Sequence, residues 1–128
     1  MEKTKIIFYL DDDTEDLDYF KEVGEELGHT VYLFSEGHDL LEELKRQEII
    51  PDVIFLDVHM PILNGEEILI LLKNAMDWKS IPVVMISGAY PKKLIKYFLD
   101  AGAAHLLKKT GTNLKAGIES ALAEIFKP

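Results

Sequence analysis

Residues 6–13 read IIFYLDDD, an apolar run of five residues followed by three aspartates. A short and nearly continuous apolar run is typical of a parallel β-strand that is covered on both faces. A stripe of apolar residues at three- and four-residue spacing follows the aspartates: Leu17, Phe20, Val23 and Leu27. This spacing predicts an amphipathic helix, which Asp13 or Thr14 can cap and which should end at Gly28. The stretch therefore predicts a strand, an acidic turn and a helix.

The same unit recurs along the chain. Strands are predicted at Ile6–Leu10, Thr30–Phe34, 53–56, 83–86 and 105–107. Further helical stripes begin at Leu40, Ile68, Leu94 and Leu114. This alternation predicts an α/β fold, a (βα)5 doubly wound parallel sheet with helices on both faces. The flavodoxin-like strand order 2-1-3-4-5 is the common solution for five strands, and its ligands bind beyond the carboxyl ends of the first and third strands.

Length and composition exclude several classes of protein. The 128 residues fit a single domain, 1–128, with ordinary hydrophobic (48%) and charged (29%) fractions. The chain has no cysteine, which excludes disulfides, thiolate metal sites and a cysteine nucleophile. The net charge of −9 disfavours nucleic acid as a ligand. No apolar run approaches the ~20 residues of a membrane span, and the N-terminus does not resemble a signal peptide, so we expect a cytoplasmic protein.

The charge is unevenly distributed. Residues 1–72 carry 5 basic and 19 acidic side chains, whereas residues 73–128 carry 9 basic and 4 acidic ones. Both sets are compatible with solvated helix faces. They are also compatible with a cation-binding end and a mildly basic contact face.

Carboxylates cluster at the predicted ligand-binding edge. Asp11, Asp12 and Asp13 follow the first strand, and Asp57 follows the third. Crowded carboxylates need either a cation or protonation, and hard oxygen ligands favour Mg²⁺. Asp13 is better explained as a helix cap. The sequence therefore predicts a magnesium site at Asp11, Asp12 and Asp57.

The remaining strand ends supply groups that suit a phosphorylated aspartate. Ser87 and Gly88 follow the fourth strand, where a hydroxyl can donate to a phosphoryl oxygen. Lys108 and Lys109 follow the fifth strand, where an ammonium can pair with phosphate as a point charge.

The sequence resembles a response-regulator receiver domain of the single-domain, CheY-like type. The matching stretches are 6–13 (IIFYLDDD), 53–65 (VIFLDVHMPILNG), 83–89 (VVMISGA) and 101–109 (AGAAHLLKK). The resemblance implies that Asp57 is the phosphoacceptor. It implies a Mg²⁺ ion bound directly by Asp12 and Asp57, by the backbone carbonyl of His59, and by Asp11 mainly through water.

The resemblance also implies roles around the phosphoryl group. Ser87 would bond this group, Lys109 would pair with its oxygens, and Pro61 and Gly65 would shape the following loop. The phosphoryl group would come from a sensor histidine kinase or a histidine phosphotransfer protein. A downstream protein would read the result at the fourth helix, fifth strand and fifth helix. The chain would then be a self-phosphorylating and self-dephosphorylating switch, and no enzyme with an external substrate.

Two positions depart from the family pattern. Leu106 stands where the family usually has an aromatic residue, so another element carries the output or Tyr90, Tyr97 or Phe98 supplies the missing bulk. Thr110 follows Lys109, where the family usually has proline. These departures leave open a pseudo-receiver that binds partners without phosphorylation. A phosphohydrolase fits less well because His59 replaces its second carboxylate, and a flavin carrier fits less well because three aspartates would repel its phosphate.

Overall fold

The computed structural model describes residues 4–60, 62–88, 92–109 and 113–127. Within them, five strands alternate with five helices. In chain order they are β1 (Ile6–Leu10), α1 (Thr14–Glu26), β2 (Thr30–Phe34), α2 (Gly37–Arg46), β3 (Val53–Asp57), α3 (Gly65–Lys73), β4 (Val83–Ser87), α4 (Lys92–Asp100), β5 (His105–Lys108) and α5 (Leu114–Ile125). None of the helices in these ranges is long and apolar enough to cross a membrane.

The strands form one parallel sheet in the order β2-β1-β3-β4-β5, which confirms the predicted fold and topology. Three strands extend one residue further than the sequence predicts, to Asp57, Ser87 and Lys108. The reason is that the pairing continues past the apolar runs. The Val58 N–H donates to the Ile86 carbonyl at 3.0 Å, and the Lys109 N–H donates to the Ser87 carbonyl at 2.7 Å.

Apolar side chains cover both faces of the sheet. Alternate residues of a strand point to opposite faces. Phe8 and Leu10 therefore join a cluster with α2, α3 and α4. Ile7 and Tyr9 join a second cluster with α1 and α5 on the other face. Every residue of the central strands β3 and β4 is buried, which explains their continuous apolar sequences.

Helix ends follow the predicted chemistry. The Asp13 side chain caps α1 by accepting a hydrogen bond from the Asp16 N–H at 3.0 Å. Gly28 and Gly102 adopt positive φ angles of 95° and 111° just after α1 and α4, as residues that end a helix commonly do. Proline suits the first turn of a helix, so the sequence also predicts that Pro91 begins the fourth helix, but this residue lies outside the described ones.

Candidate functional site

Three carboxylates meet at the carboxyl edge of the sheet. Asp57 is the last residue of β3, and Asp11 and Asp12 directly follow β1, its neighbour. One oxygen from each of the three side chains lies within 4.8 Å of the others. Asp11 is fully buried and Asp57 is 3% exposed, whereas Asp12 faces solvent. The fold thus brings together the residues that the sequence predicts as a metal site.

Lys109 supplies a positive charge within this cluster. Its Nζ lies 2.8 Å from Oδ2 of Asp11 and 3.4 Å from Oδ2 of Asp57. Residue Lys108, which precedes it, ends β5 and is exposed. Of the two adjacent lysines, Lys109 is therefore the one whose ammonium reaches the predicted acceptor, which is also the lysine that the family resemblance indicates.

The cluster shifts the ionisation of its members in different directions. Burial, together with the charge of Asp11, raises the pKa of Asp57 from 3.8 to about 6. Burial also opposes ionisation of Asp11, but hydrogen bonds from Lys109, Tyr9 and the Asp13 N–H outweigh it and lower the pKa of Asp11. For Lys109, burial is outweighed by hydrogen bonds to Asp11 and Asp16, so the pKa rises. Of these two buried carboxyl groups, Asp57 therefore binds a proton more readily than Asp11.

Tyr9 is a partner of the site that the sequence analysis missed. Its hydroxyl donates a hydrogen bond to Oδ2 of Asp11, and its ring stacks on Phe20 with centroids 4.1 Å apart. Burial and this hydrogen bond raise the pKa of Tyr9, so the phenol stays protonated and remains a donor. A tyrosine two residues before an aspartate in a strand shares its face, and this spacing was the available signal.

Asp16 is a second partner that the sequence analysis missed. Its Oδ2 lies 3.0 Å from Lys109 Nζ, and its side chain is 37% exposed. Asp16 belongs to the first turn of α1, whereas Lys109 follows β5. Only the folded arrangement brings these two segments together, so no local pattern could have indicated the pair.

The loop after Asp57 packs closely against this residue. The His59 N–H donates to Oδ1 of Asp57 at 3.2 Å, while the His59 side chain is exposed. Gly65 begins α3 so close to β3 that a Cβ atom there would overlap the backbone carbonyl of Asp57. Ile62 has a φ of 65°, a left-handed conformation rare for a β-branched residue, and is 92% exposed. Pro61 lies outside the described residues.

Ser87 occupies the corresponding end of the neighbouring strand. It is the last residue of β4, is 1% exposed, and follows Ile86, the register partner of Asp57. Leu106, the position that departs from the family pattern, belongs to β5 and is the register partner of Met85 in β4. Its side chain packs half-buried against the cluster that contains Phe98. Tyr97 is exposed on α4, with its ring centroid 5.6 Å from that of Phe98. Tyr90 and Thr110 lie outside the described residues.

The donor set fits a hard divalent cation. Three carboxylates share the space with one ammonium, which leaves net negative charge for a cation to offset. All the grouped side-chain ligands are oxygens, the donors that Mg²⁺ and Mn²⁺ prefer. Both oxygens of Asp11 already accept hydrogen bonds, from Tyr9 and the Asp13 N–H. Asp12, whose side chain faces solvent, is therefore better placed than Asp11 for direct coordination.

Known proteins are similar to this chain in sequence. A family model described as the response regulator receiver domain matches residues 7–119. An uncharacterised response regulatory protein of Vibrio parahaemolyticus is 31% identical over 99 residues, which cover 77% of this chain and 39% of that protein. The chain thus spans well under half the length of this curated relative.

Solved structures give the same result. The chemotaxis protein CheY4 of Vibrio cholerae superposes with a TM-score of 0.84 at 18% identity, covering 97% of this chain and all of that one. The Mn²⁺-bound form of response regulator Rcp1 superposes with a TM-score of 0.77 at 25% identity, covering 95% and 93% of the two chains. Together with the family match, these likenesses show that the chain belongs to the response regulator receiver family, the signalling domains of two-component systems.

Proposed function

We propose that residues 1–128 act as one receiver domain that accepts a phosphoryl group on Asp57 and signals by protein contact. One observation carries the proposal: the Asp57 carboxylate ends the central strand β3 between a carboxylate cluster and the Lys109 ammonium. An oxyanion nucleophile beside a cation site and a fixed positive charge has what phosphoryl transfer needs, namely positioning and charge neutralisation.

The donor in this proposal is a phosphohistidine of a sensor histidine kinase or a histidine phosphotransfer protein. A carboxylate oxygen of Asp57 attacks the phosphorus atom, and a P–O bond forms as the P–N bond breaks. The imidazole nitrogen leaves with its electron pair and takes a proton from solvent. Water later attacks the acyl phosphate, which returns phosphate and the Asp57 carboxylate. The cycle turns over no external substrate, so we regard the chain as a switch and not as an enzyme.

The chain's own residues hold the reacting groups. Asp12, Asp57 and the backbone carbonyl of His59 would bind Mg²⁺ directly, and Asp11 would act on the ion through water. When bound, the ion offsets the negative charge that builds up on the transferring phosphoryl group. Lys109 offsets the same charge from the β5 side, and the Ser87 hydroxyl donates to a phosphoryl oxygen. The proposal places this cycle in the cytoplasm, where a kinase finds ATP.

The output of the proposed switch lies on α4, β5 and α5. Exposed lysines on α4 surround the exposed Tyr97 ring: Lys92, Lys93 and Lys96. This surface fits a downstream protein with an acidic contact face. Leu106 lacks the aromatic ring that the family usually has at this position, and it packs half-buried against the cluster that contains Phe98. We therefore assign the packing change to the Leu106 and Phe98 cluster as a whole.

The proposal is tested by intact mass after incubation with Mg²⁺ and acetyl phosphate. We expect one phosphoryl adduct that requires the metal. Asp57→Asn should abolish the adduct, whereas Asp52→Asn should retain it, because Asp52 lies at the opposite end of β3 and accepts a hydrogen bond from the Ile6 N–H. An adduct that persists in Asp57→Asn would show that another residue accepts the phosphoryl group.

A phosphorylation-independent interaction module is the second candidate, favoured by Leu106 in place of the aromatic switch residue. If the chain forms neither a phosphoryl adduct nor a complex with Mg²⁺ and beryllofluoride, this second function replaces the first.

A further inference from the structure

The Lys109 ammonium contacts three carboxylates, and the most distant of the three is Asp57, the proposed acceptor. The distances are 2.8 Å to Asp11, 3.0 Å to Asp16 and 3.4 Å to Asp57. An ammonium has three N–H donors, so these three acceptors use its full capacity. A phosphoryl oxygen on Asp57 can take over the donor that now points to the Asp57 carboxylate at 3.4 Å. A closer contact, or a second one, requires that the ammonium move away from Asp11 or Asp16.

Asp16 is the carboxylate that can give up its donor at least cost. The Asp11 side chain is fully buried, and removing a partner from a buried charge is strongly destabilising. Asp16 is partly exposed, so water can replace the lysine there. The three contacts are thus unequal, and the Asp16 contact is the one that competes with the phosphoryl group.

Asp16 is also held firmly enough to compete. Its backbone N–H donates to the Asp13 side chain at 3.0 Å, and the Leu17 N–H donates to the Asp13 carbonyl at 3.0 Å. The carboxylate therefore projects from the capped first turn of a regular helix and not from a mobile loop.

We propose that Asp16 is a positioning residue of this receiver, whose carboxylate holds the Lys109 ammonium beside α1 and competes for it with a phosphoryl group on Asp57. The inference rests on the proposed function, because it assigns to Asp16 control over a group that Asp57 would carry. Asp16 touches neither the acceptor carboxylate nor the metal cluster in the described contacts, and it acts through Lys109. It thereby sets how strongly the unmodified state resists conversion to the phosphorylated one.

The test measures the affinity of the Mg²⁺-saturated protein for beryllofluoride, a phosphoryl analogue. Asp16→Asn should bind it about two- to fivefold more tightly than the wild type, the range that a partly exposed ion pair supplies. Glu15→Gln is the matched control, since it removes one charge from an exposed position in the same turn. It should leave the affinity near the wild-type value. Asp16→Glu retains the carboxylate and should restore most of the wild-type behaviour.

A second readout separates positioning from general stabilisation. The NMR signals of the Lys109 side-chain CH₂ next to Nζ should move in Asp16→Asn without any ligand, and should stay in place in Glu15→Gln. If the wild type binds beryllofluoride and Asp16→Asn binds it no more tightly than Glu15→Gln does, the competition is refuted and the proposed function stands.

If the wild type binds no beryllofluoride, both the proposed function and the competition are refuted. If the Lys109 signals of Asp16→Asn do not move, the role of Asp16 in holding Lys109 is refuted.

Discussion

Replacing Asp57 by asparagine should stabilise the protein at neutral pH, although it removes the proposed acceptor. Burial and the charge of Asp11 raise the pKa of Asp57 from 3.8 to about 6. A difference of about 2 in pKa corresponds to roughly 3 kcal/mol of penalty on the ionised folded state. Asparagine keeps the shape and the acceptor oxygen for the His59 N–H without the charge. We expect a gain of about 2–3 kcal/mol, or roughly 6–15 °C in Tm for a chain of this size.

The gain should depend on pH with a definite sign. Above pH 6, the Asp57 carboxyl is ionised in both states, and the folded wild type bears the whole penalty. As pH falls through 6, the folded state takes up a proton before the unfolded chain does, so wild-type stability rises. Below the ordinary pKa of 3.8, both states are protonated and the penalty is gone. The difference between variant and wild type should therefore shrink between pH 7 and pH 4.

Urea denaturation of both proteins at pH 7, 5.5 and 4, without divalent metal, measures this difference. Asp12→Asn is the matched control, because it removes a charge from the exposed member of the same cluster. It should gain less than about 1 kcal/mol. Saturating Mg²⁺ should reduce the difference in unfolding free energy between Asp57→Asn and the wild type at pH 7, because it should stabilise the wild type more than Asp57→Asn. An Asp57→Asn protein that is no more stable than the wild type at pH 7 would refute the reasoning.

Three further substitutions test other parts of the site. Lys109→Met should cost about 1–3 kcal/mol by leaving buried carboxylates unpaired, and a double-mutant cycle in urea should show a smaller cost in the Asp57→Asn background. Gly65→Ala should cost about 3 kcal/mol or more in thermal unfolding, because its Cβ meets the backbone of β3, which cannot move aside. Tyr9→Phe should cost about 1–2 kcal/mol at pH 7 and less at an acid pH well below 3.8, because Asp11, whose pKa is lowered from 3.8, loses its stabilising charge only as pH falls below that ordinary value. Equal losses at both pH values would contradict this last prediction.

Much of the fold could be predicted because a parallel strand that is buried on both faces has a short, nearly continuous apolar sequence. The apolar runs of β1, β3 and β4 have this origin, whereas the half-exposed edge strands β2 and β5 are indicated by the alternation of strands and helices. The strand order follows from the common five-strand topology. The strand ends were predicted one residue short at Asp57, Ser87 and Lys108. Polar residues there still pair in the ladder, and hydropathy cannot reveal backbone hydrogen bonds.

The contacts around Lys109 lay beyond sequence reasoning. The acidic residues were placed at one edge because strand ends of a parallel sheet meet there. The ion pair from Asp16 to Lys109 depends on side-chain reach between two elements, which no spacing in the chain encodes. The bond from Tyr9 to Asp11 had a local signal in the two-residue spacing, but that spacing alone does not identify the partner. The left-handed Ile62 was likewise unpredictable, since β-branched residues rarely adopt that conformation.

The position of Asp57 inside the β3 ladder has a consequence for how a chemical change there is relayed. Hydrogen bonds to β4 continue beyond it, at Val58, and every residue of both strands is buried. The backbone at Asp57 is thus held by β1 and β4 on its two sides, whereas the edge strand β5 is largely half-exposed. Under the proposed function, new charge on Asp57 meets a backbone that is fixed in the sheet. We therefore expect side chains, and not movement of β3, to transmit the change toward β5.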